Sequence, residues 1–406
     1  MRVLLTSRGS RGDIEPLAGL AARLTDKGVD VVLGAPPDPE FTALAERSGA
    51  RHLPIDSPIR QMVQNLAAGA GPSIQQHVLE ILESHGPAFT AVAETGCDAF
   101  IATGLFPVVA AAQAVAERHG IPFCSAALQH TGLPSPAQRP HPMPGWPLPE
   151  DVSDNRALWE WDKRKMQAIF GEPVNAYRES IGLEPTEDVR TQTFTDQRWL
   201  ATDPLLNPWE SSDLIEVVQT GAWILPDERP LPADLEAFLD AGEPPVYVGF
   251  GSIPVRDAED TARAVVESVR AHGRRAVLSR GWAELAPIDD RDDCFAVDEI
   301  NQQALFRRAA VVVHHGGAGT THTATRSGTP QVVVPQIVDQ PYWAGRVAAF
   351  GIGAHHEGRV PTTETLTAAL DIALAPEVRD RAADVGARIR TDGAEVAAKL
   401  VLEMVE

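Results

Sequence analysis

An apolar run, Val311-Val312-Val313, leads into His314-His315-Gly316-Gly317-Ala318-Gly319-Thr320-Thr321. Glycines after a strand let the main chain come close to a ligand. A helix over 320–326 would present unbonded N–H groups and a positive dipole end, which suits a phosphate. A histidine just before the turn adds a donor to a phosphate oxygen. The run has no Gly-Lys-Ser/Thr and is not GxGxxG, so by itself it reads first as a tight strand-to-helix connection. Asp339-Gln340 lie 24 residues beyond His315, after a second apolar run at 331–335 and just before Pro341. A carboxylate beside an amide can accept from and donate to sugar hydroxyls together, or Asp339 simply caps a helix opening at Pro341.

Two further loops carry suitable side chains. Ser7-Arg8-Gly9-Ser10-Arg11-Gly12-Asp13 follows the apolar run 2–6. Asp13 is placed either to cap a helix near Glu15-Pro16 or to act as a general base toward a hydroxyl. Arg11 could meet an anionic leaving group. Gly249-Phe250-Gly251-Ser252 ends another apolar run. Ser252 could bond a phosphate there, or the segment is a plain turn.

These loops need strands behind them and helices after them. Short apolar runs at 2–6, 29–33, 98–103 and 122–127 alternate with helical patterns at 15–27, 73–94 and 107–118. That alternation predicts a parallel sheet covered on both faces. It breaks at 134–149, where seven of sixteen residues are proline. This is an irregular loop, either a tolerated insertion or a wall shaped for a bulky ligand. A helical pattern resumes over 155–169. A second series follows, with strands at 245–250, 275–279, 309–314 and 331–335 and a helix over 260–272. The expected division is a first domain over 1–204, a connection over 205–228, a second domain over 229–390, and a last helical stretch within 391–406. Ligands of open α/β sheets sit beyond the carboxyl ends of the strands.

With 406 residues the chain suits two cores rather than one. The formal net charge of −21 argues against a nucleic-acid partner. Cys97, Cys124 and Cys294 are widely spaced and offer no metal motif. They read as buried, reduced thiols of a cytoplasmic protein. No stretch reaches the roughly 20 apolar residues of a membrane span, and the N-terminus has no signal-peptide pattern.

The stretch from His315 through Gly328-Thr329-Pro330 to Asp339-Gln340 resembles the donor signature of the inverting family 1 glycosyltransferases of GT-B fold. A closer likeness is to the glycosyltransferases of vancomycin- and teicoplanin-type glycopeptide antibiotics. It rests on Gly9-Ser10-Arg11-Gly12-Asp13, on the run Gln219-Thr220-Gly221-Ala222-Trp223-Ile224-Leu225-Pro226-Asp227-Glu228-Arg229-Pro230, on Leu278-Ser279-Arg280-Gly281-Trp282, and on the His-Gly loop. The likeness runs nearly end to end. It is strongest after about residue 195 and weakest in 57–71 and 129–151, the segments that would face the acceptor.

The resemblance implies two Rossmann-like domains facing across a deep cleft, with the last helix returning to the first domain. It implies Asp13 as catalytic base. His315, Gly317, Gly319 and Thr320 would hold a diphosphate, joined by Ser10, Arg11, Gly12 and Ser252. Arg280, Trp282 and Val297 would frame the nucleotide base, with Gln302 close by, and Asp339 and Gln340 would hold the sugar. No metal or cofactor is implied; the co-substrate is a UDP- or dTDP-sugar. The implied acceptor is a glycopeptide aglycone and the implied state a monomer. Alternatives are transfer to another aromatic or polyketide natural product, a GT-B nucleotide-sugar epimerase, or a catalytically silent partner of another transferase.

Overall fold

The computed structural model describes residues 1–62, 74–143, 145–195, 197–252 and 257–406. They form two compact units: Met1–Leu225 with Thr391–Glu406, and Pro226–Arg390. Most of the acceptor-facing segment expected at 57–71 lies outside the described residues, as do Ser73 and Pro144.

The first unit is built on seven parallel strands: β1 (Arg2–Thr6), β2 (Asp30–Ala35), β3 (Arg51–Pro54), β4 (Ala99–Thr103), β5 (Phe123–Ala127), β6 (Gln197–Leu200) and β7 (Glu216–Gln219). Their order is β3-β2-β1-β4-β5-β6-β7. Val3, Leu4 and Leu5 of β1 are fully buried, so both faces of this central strand are covered. That is why it reads as an unbroken apolar run rather than an alternating one. The strand order reverses between β1 and β4, the position at which doubly wound sheets open toward a ligand.

Several boundaries differ from expectation. Helix α1 spans Arg11–Asp26, four residues ahead of the expected start, and carries Pro16 inside it. Pro16 is the sixth helical residue and gives up the one bond its N–H would make to Gly12 O; burial of Ile14, Leu17, Leu20 and Leu24 on the core side outweighs that loss. The expected connection 205–228 contains β7, the edge strand of the first sheet. Four residues without strong alternation carried too little pattern to reveal it. The helix expected over 155–169 continues to Ser180 through Pro173. Its buried side keeps Ile169, Phe170 and Val174 in the core, and this packing outweighs the proline break.

The proline-rich loop is fastened rather than loose. The Trp159 indole N–H donates to the carbonyls of Ser135 and Gln138, both at 3.0 Å. Lys165 donates to the His141 carbonyl at 3.0 Å. Cys97 and Cys124 are buried, while Cys294 is only half-buried, contrary to expectation.

The second unit holds six parallel strands: β8 (Val246–Gly249), β9 (Ala276–Ser279), β10 (Cys294–Val297), β11 (Val311–His314), β12 (Gln331–Val333) and β13 (Gly353–His355). Their order is β10-β9-β8-β11-β12-β13. The reversal falls between β8 and β11. The helix after β11, here α2, spans Ala318–Arg326, and the helix after β12, here α3, spans Gln340–Ala349.

The C-terminal helix Gly393–Glu403 belongs to the first unit. Its Ala394, Ala397, Ala398 and Val401 are buried. Gly393 lies so close to the main chain of Gly221 and Ala222 that no Cβ would fit.

Candidate functional site

In the second unit, four loops at the carboxyl ends of β9, β8, β11 and β12 carry most of the expected residues. The two histidines ending β11 do different work. His314 is fully buried. Its Nδ1 accepts from the Gly316 N–H at 3.1 Å, and its Nε2 faces Gln331 Oε1 at 2.9 Å. The ring is therefore the Nε2–H tautomer. Burial, reinforced by His315, pushes its pKa down to about 3, so it is neutral. Gln331 passes the chain on to Thr325, whose hydroxyl donates to Thr321 O within α2. His314 thus fixes the Gly316 turn to the helix behind it.

His315 is half-buried, and its Nδ1 has no hydrogen-bond partner. Burial holds its pKa at about 4. The ligand-free ring is neutral and can give one N–H to an acceptor without carrying charge. Glycines surround the ring. A Cβ on Gly317 would lie 2.6 Å from Nε2, and one on Gly251 would lie 2.9 Å from Cε1. Gly316 adopts φ +91° and Gly251 φ +60°, which side chains resist. The lack of side chains here lets the imidazole reach the turn.

Gly317 caps α2 without a side-chain bond of its own. The first-turn N–H groups of Ala318, Gly319 and Thr320 point away from any helical carbonyl. Gly319 is exposed, with open space beside it. A helix end of this kind attracts anions.

The loop after β9 is tied to the loop after β8. The Trp282 N–H donates to Gly251 O at 3.0 Å. Gly281, at φ +49°, comes so near Gly251 O that a Cβ would lie 2.7 Å from it. Arg280 N–H donates to Val297 O at 2.9 Å, which joins the end of β9 to that of β10. Trp282, Arg280 and Val297 thus sit together, beside Gly251 and Ser252. The exposed Arg280 guanidinium pairs with Asp298 at 3.1 Å. Gln302 is turned toward Tyr247 and donates to its hydroxyl at 3.3 Å.

After β12, Gln340 is buried and its Oε1 accepts from the N–H groups of Gln336 (2.7 Å) and Ile337 (3.0 Å). The expected joint role of accepting and donating therefore changes. The amide oxygen is committed to the loop, and Gln340 has its NH2 to offer. Asp339 stands at the cap position of α3 but makes no side-chain cap bond. Its Oδ2 takes the indole N–H of Trp343 at 2.6 Å. Just before it, Val338 has φ +52° and is 66% exposed. A β-branched residue in the left-handed region is strained, and nothing in the residue pattern marks it.

In the first unit, Asp13 lies in the first turn of α1, beyond β1 and beside the reversal between β1 and β4. Its Oδ2 accepts from the Ser10 N–H at 2.9 Å, and the Ser10 hydroxyl lies at 3.4 Å. Asp13 is therefore the third residue of the helix, held by the residue before it, and not the cap residue weighed above. Arg11 pairs along the helix with Glu15 at 2.7 Å. Gly12 is exposed on the same turn. Below this turn the buried Arg8 pairs with Asp56 and lies 3.1 Å from His77 Nε2.

Among the described residues no group of three or more His, Cys, Asp or Glu side chains could hold a metal ion. Among them, too, no helix is long and apolar enough to cross a membrane.

Two Rossmann-like units, each with its polar loops at the strand-order reversal, define a GT-B glycosyltransferase. Residues 289–402 match the family "Erythromycin biosynthesis protein CIII-like, C-terminal domain". Glycosyltransferase GtfE of Amycolatopsis orientalis is 50% identical, with 100% of this chain and 98% of that protein aligned. The vancomycin aglycone glucosyltransferase of the same organism is 47% identical over the same shares. Its dTDP-epi-vancosaminyltransferase is 45% identical over 95% of this chain and 93% of that protein. Among solved structures, glycosyltransferase VinC in complex with dTDP superposes with a TM-score of 0.71 at 19% identity, covering 100% and 99% of the two chains. The chain belongs to the family of vancomycin-type glycopeptide glycosyltransferases. It is a glycosyltransferase, and its co-substrate is a nucleotide sugar.

Proposed function

We propose that the chain moves a hexose or deoxyhexose from a UDP- or dTDP-sugar to a hydroxyl of a glycopeptide aglycone or pseudo-aglycone, with inversion at the anomeric carbon. The end-to-end likeness to a vancomycin aglycone glucosyltransferase supports this acceptor class. The pairing of His314-His315-Gly316-Gly317 with Asp339-Gln340 favours a UDP-hexose. One observation carries the reading: a neutral, glycine-flanked His315 beside an uncapped helix start, at the strand-order reversal of the second unit. Such a place suits a diphosphate.

In this reading residues 229–390 take the donor. His315 and the main chain of Gly317, Gly319 and Thr320 hold the diphosphate, with Ser252 beside them. Arg280, Trp282 and Val297 frame the base, and Gln302 stands next to it. Asp339 accepts from the sugar and the Gln340 NH2 donates to it. Residues 1–204 take the acceptor, and Ser10, Arg11 and Gly12 add donors to the diphosphate.

The Asp13 carboxylate takes the acceptor hydroxyl proton as its oxygen bonds the anomeric carbon. The bond from that carbon to the diphosphate oxygen breaks, and the nucleoside diphosphate leaves with the electron pair. Attack from the opposite face inverts the configuration. The protein works as a cytoplasmic monomer.

The test is a mass-spectrometric screen of UDP-glucose, dTDP-glucose and a dTDP-deoxysugar against glycopeptide aglycones, with NMR of the product linkage. The expected outcome is one added sugar of inverted configuration. Asp13→Asn should lower kcat about 10²–10⁴-fold and leave nucleoside diphosphate affinity unchanged. Retained configuration, or near-full turnover of Asp13→Asn, overturns the mechanism. Epimerised donor accumulating without acceptor would favour the epimerase.

A further inference from the structure

We infer that Gly9 and the Ser10 N–H together position Asp13, Gly9 by leaving space for its carboxylate and Ser10 by holding it there. The inference rests on Asp13 as the base. An ideal Cβ on Gly9 would fall on Asp13 Oδ2, lie 2.5 Å from Cγ and 3.0 Å from Cβ. Gly9 is not among the residues of positive φ, so its backbone does not require glycine. The space is what requires it. Gly104, on the loop after β4, differs: it has φ +92°, and its Cβ would lie 2.6 Å from Ser7 Oγ and 3.9 Å from Asp13 Oδ1. The carboxylate thus sits with Oδ2 against Gly9 and Ser10 and Oδ1 toward Gly104, across the reversal of strand order.

The backbone of Asp13 is fixed independently. Its N–H donates to Ser10 O at 2.9 Å, and Ile14 N–H reaches the same carbonyl at 3.3 Å. A methyl on Gly9 therefore leaves the helix in place and pushes the carboxylate aside. The clash is relieved by turning a short side chain, at small cost to the fold. A displacement of about 1 Å at a reacting group can lower turnover about 10²-fold.

The test compares Gly9→Ala, Asp13→Asn and the double variant in the full chain, with circular dichroism, melting temperature and UDP affinity as controls. Gly9→Ala should lower kcat roughly 10–100-fold, with the KM for donor and the UDP affinity unchanged. In the Asp13→Asn background Gly9→Ala should add nothing, because both act on one carboxylate. Ser10→Pro is an independent variant. It deletes the N–H at a residue whose φ of −80° proline can adopt, and its loss of kcat beyond that of Ser10→Ala, which lacks only the hydroxyl proposed to meet the diphosphate, reports the N–H. A strongly impaired Asp13→Asn beside unimpaired Gly9→Ala and Ser10→Pro overturns this inference and leaves the base standing. Near-full turnover of Asp13→Asn overturns both.

Discussion

Two adjacent histidines show how burial and partners divide labour between like side chains. His314 has both ring nitrogens engaged inside the unit, whereas Nδ1 of His315 has no partner. The ligand-free His315 has its pKa held at about 4 by burial. A diphosphate beside it supplies negative charge that favours the imidazolium. Its pKa in the complex is then higher than in the free protein. Affinity for UDP or dTDP should rise as pH falls through the pKa of the complex, and level off near 4. Calorimetry in buffers of different ionisation enthalpy should show fractional proton uptake at pH 5.5 and little at pH 8. His315→Ala should abolish the uptake and weaken binding by about 1.5–3 kcal/mol, the range for a hydrogen bond to a charged group. His314→Ala should instead melt at lower temperature. A pH-independent uptake in the wild type removes His315 from the diphosphate.

Among the elements, the loop between β12 and α3 is built under tension. Gln340 Oε1 receives two main-chain N–H groups, and Gln336 Nε2 donates to Arg359 O at 2.5 Å. These bonds hold Val338 in the left-handed region, at a cost of about 1–3 kcal/mol. Val338→Gly should relieve it. After allowing for glycine's extra chain entropy, the gain is about 0.5–1 kcal/mol by urea denaturation. If the tension aims Asp339, the same variant should raise the KM for donor several-fold. A stabilised variant with unchanged KM makes the strain incidental. Neither Val338 nor β7 was legible in the sequence. β7 is four half-exposed residues on a sheet edge, and a positive φ at valine leaves no compositional trace. The central strands were legible because burial on both faces demands continuous Val, Leu and Ile. The phosphate loop was legible because close approach demands glycine. The start of α1 was missed because Gly12 and Pro16 both argue locally against helix, while the Ser10 bond to Asp13 and the buried face of Ile14, Leu17 and Leu20 offset them.

At the scale of the whole molecule, the chain does not divide in sequence order. Residues Thr391–Glu406 follow the second unit yet complete the first. The C-terminal helix packs on α1, the helix that carries Asp13. Gly393 meets Gly221, which has φ +99°, and Ala222. Close main-chain contact of this kind needs glycine on both sides. Lys27 reaches Glu395 at 2.7 Å, but so exposed a pair adds little. The apolar face, with Val401 and three buried alanines, contributes about 3–5 kcal/mol by transfer arithmetic. Removing residues 391–406 should therefore weaken the first unit selectively. Hydrogen exchange across α1 should speed up by two orders of magnitude or more, as an opening cost lowered by about 3 kcal/mol requires. Exchange across α2 should be unchanged, because that helix belongs to the other unit. Turnover should fall with the loosened α1, since Asp13 is held by the first turn of that helix. Equal protection of α1 in the full and shortened chains would show that the helix stands without its C-terminal cover.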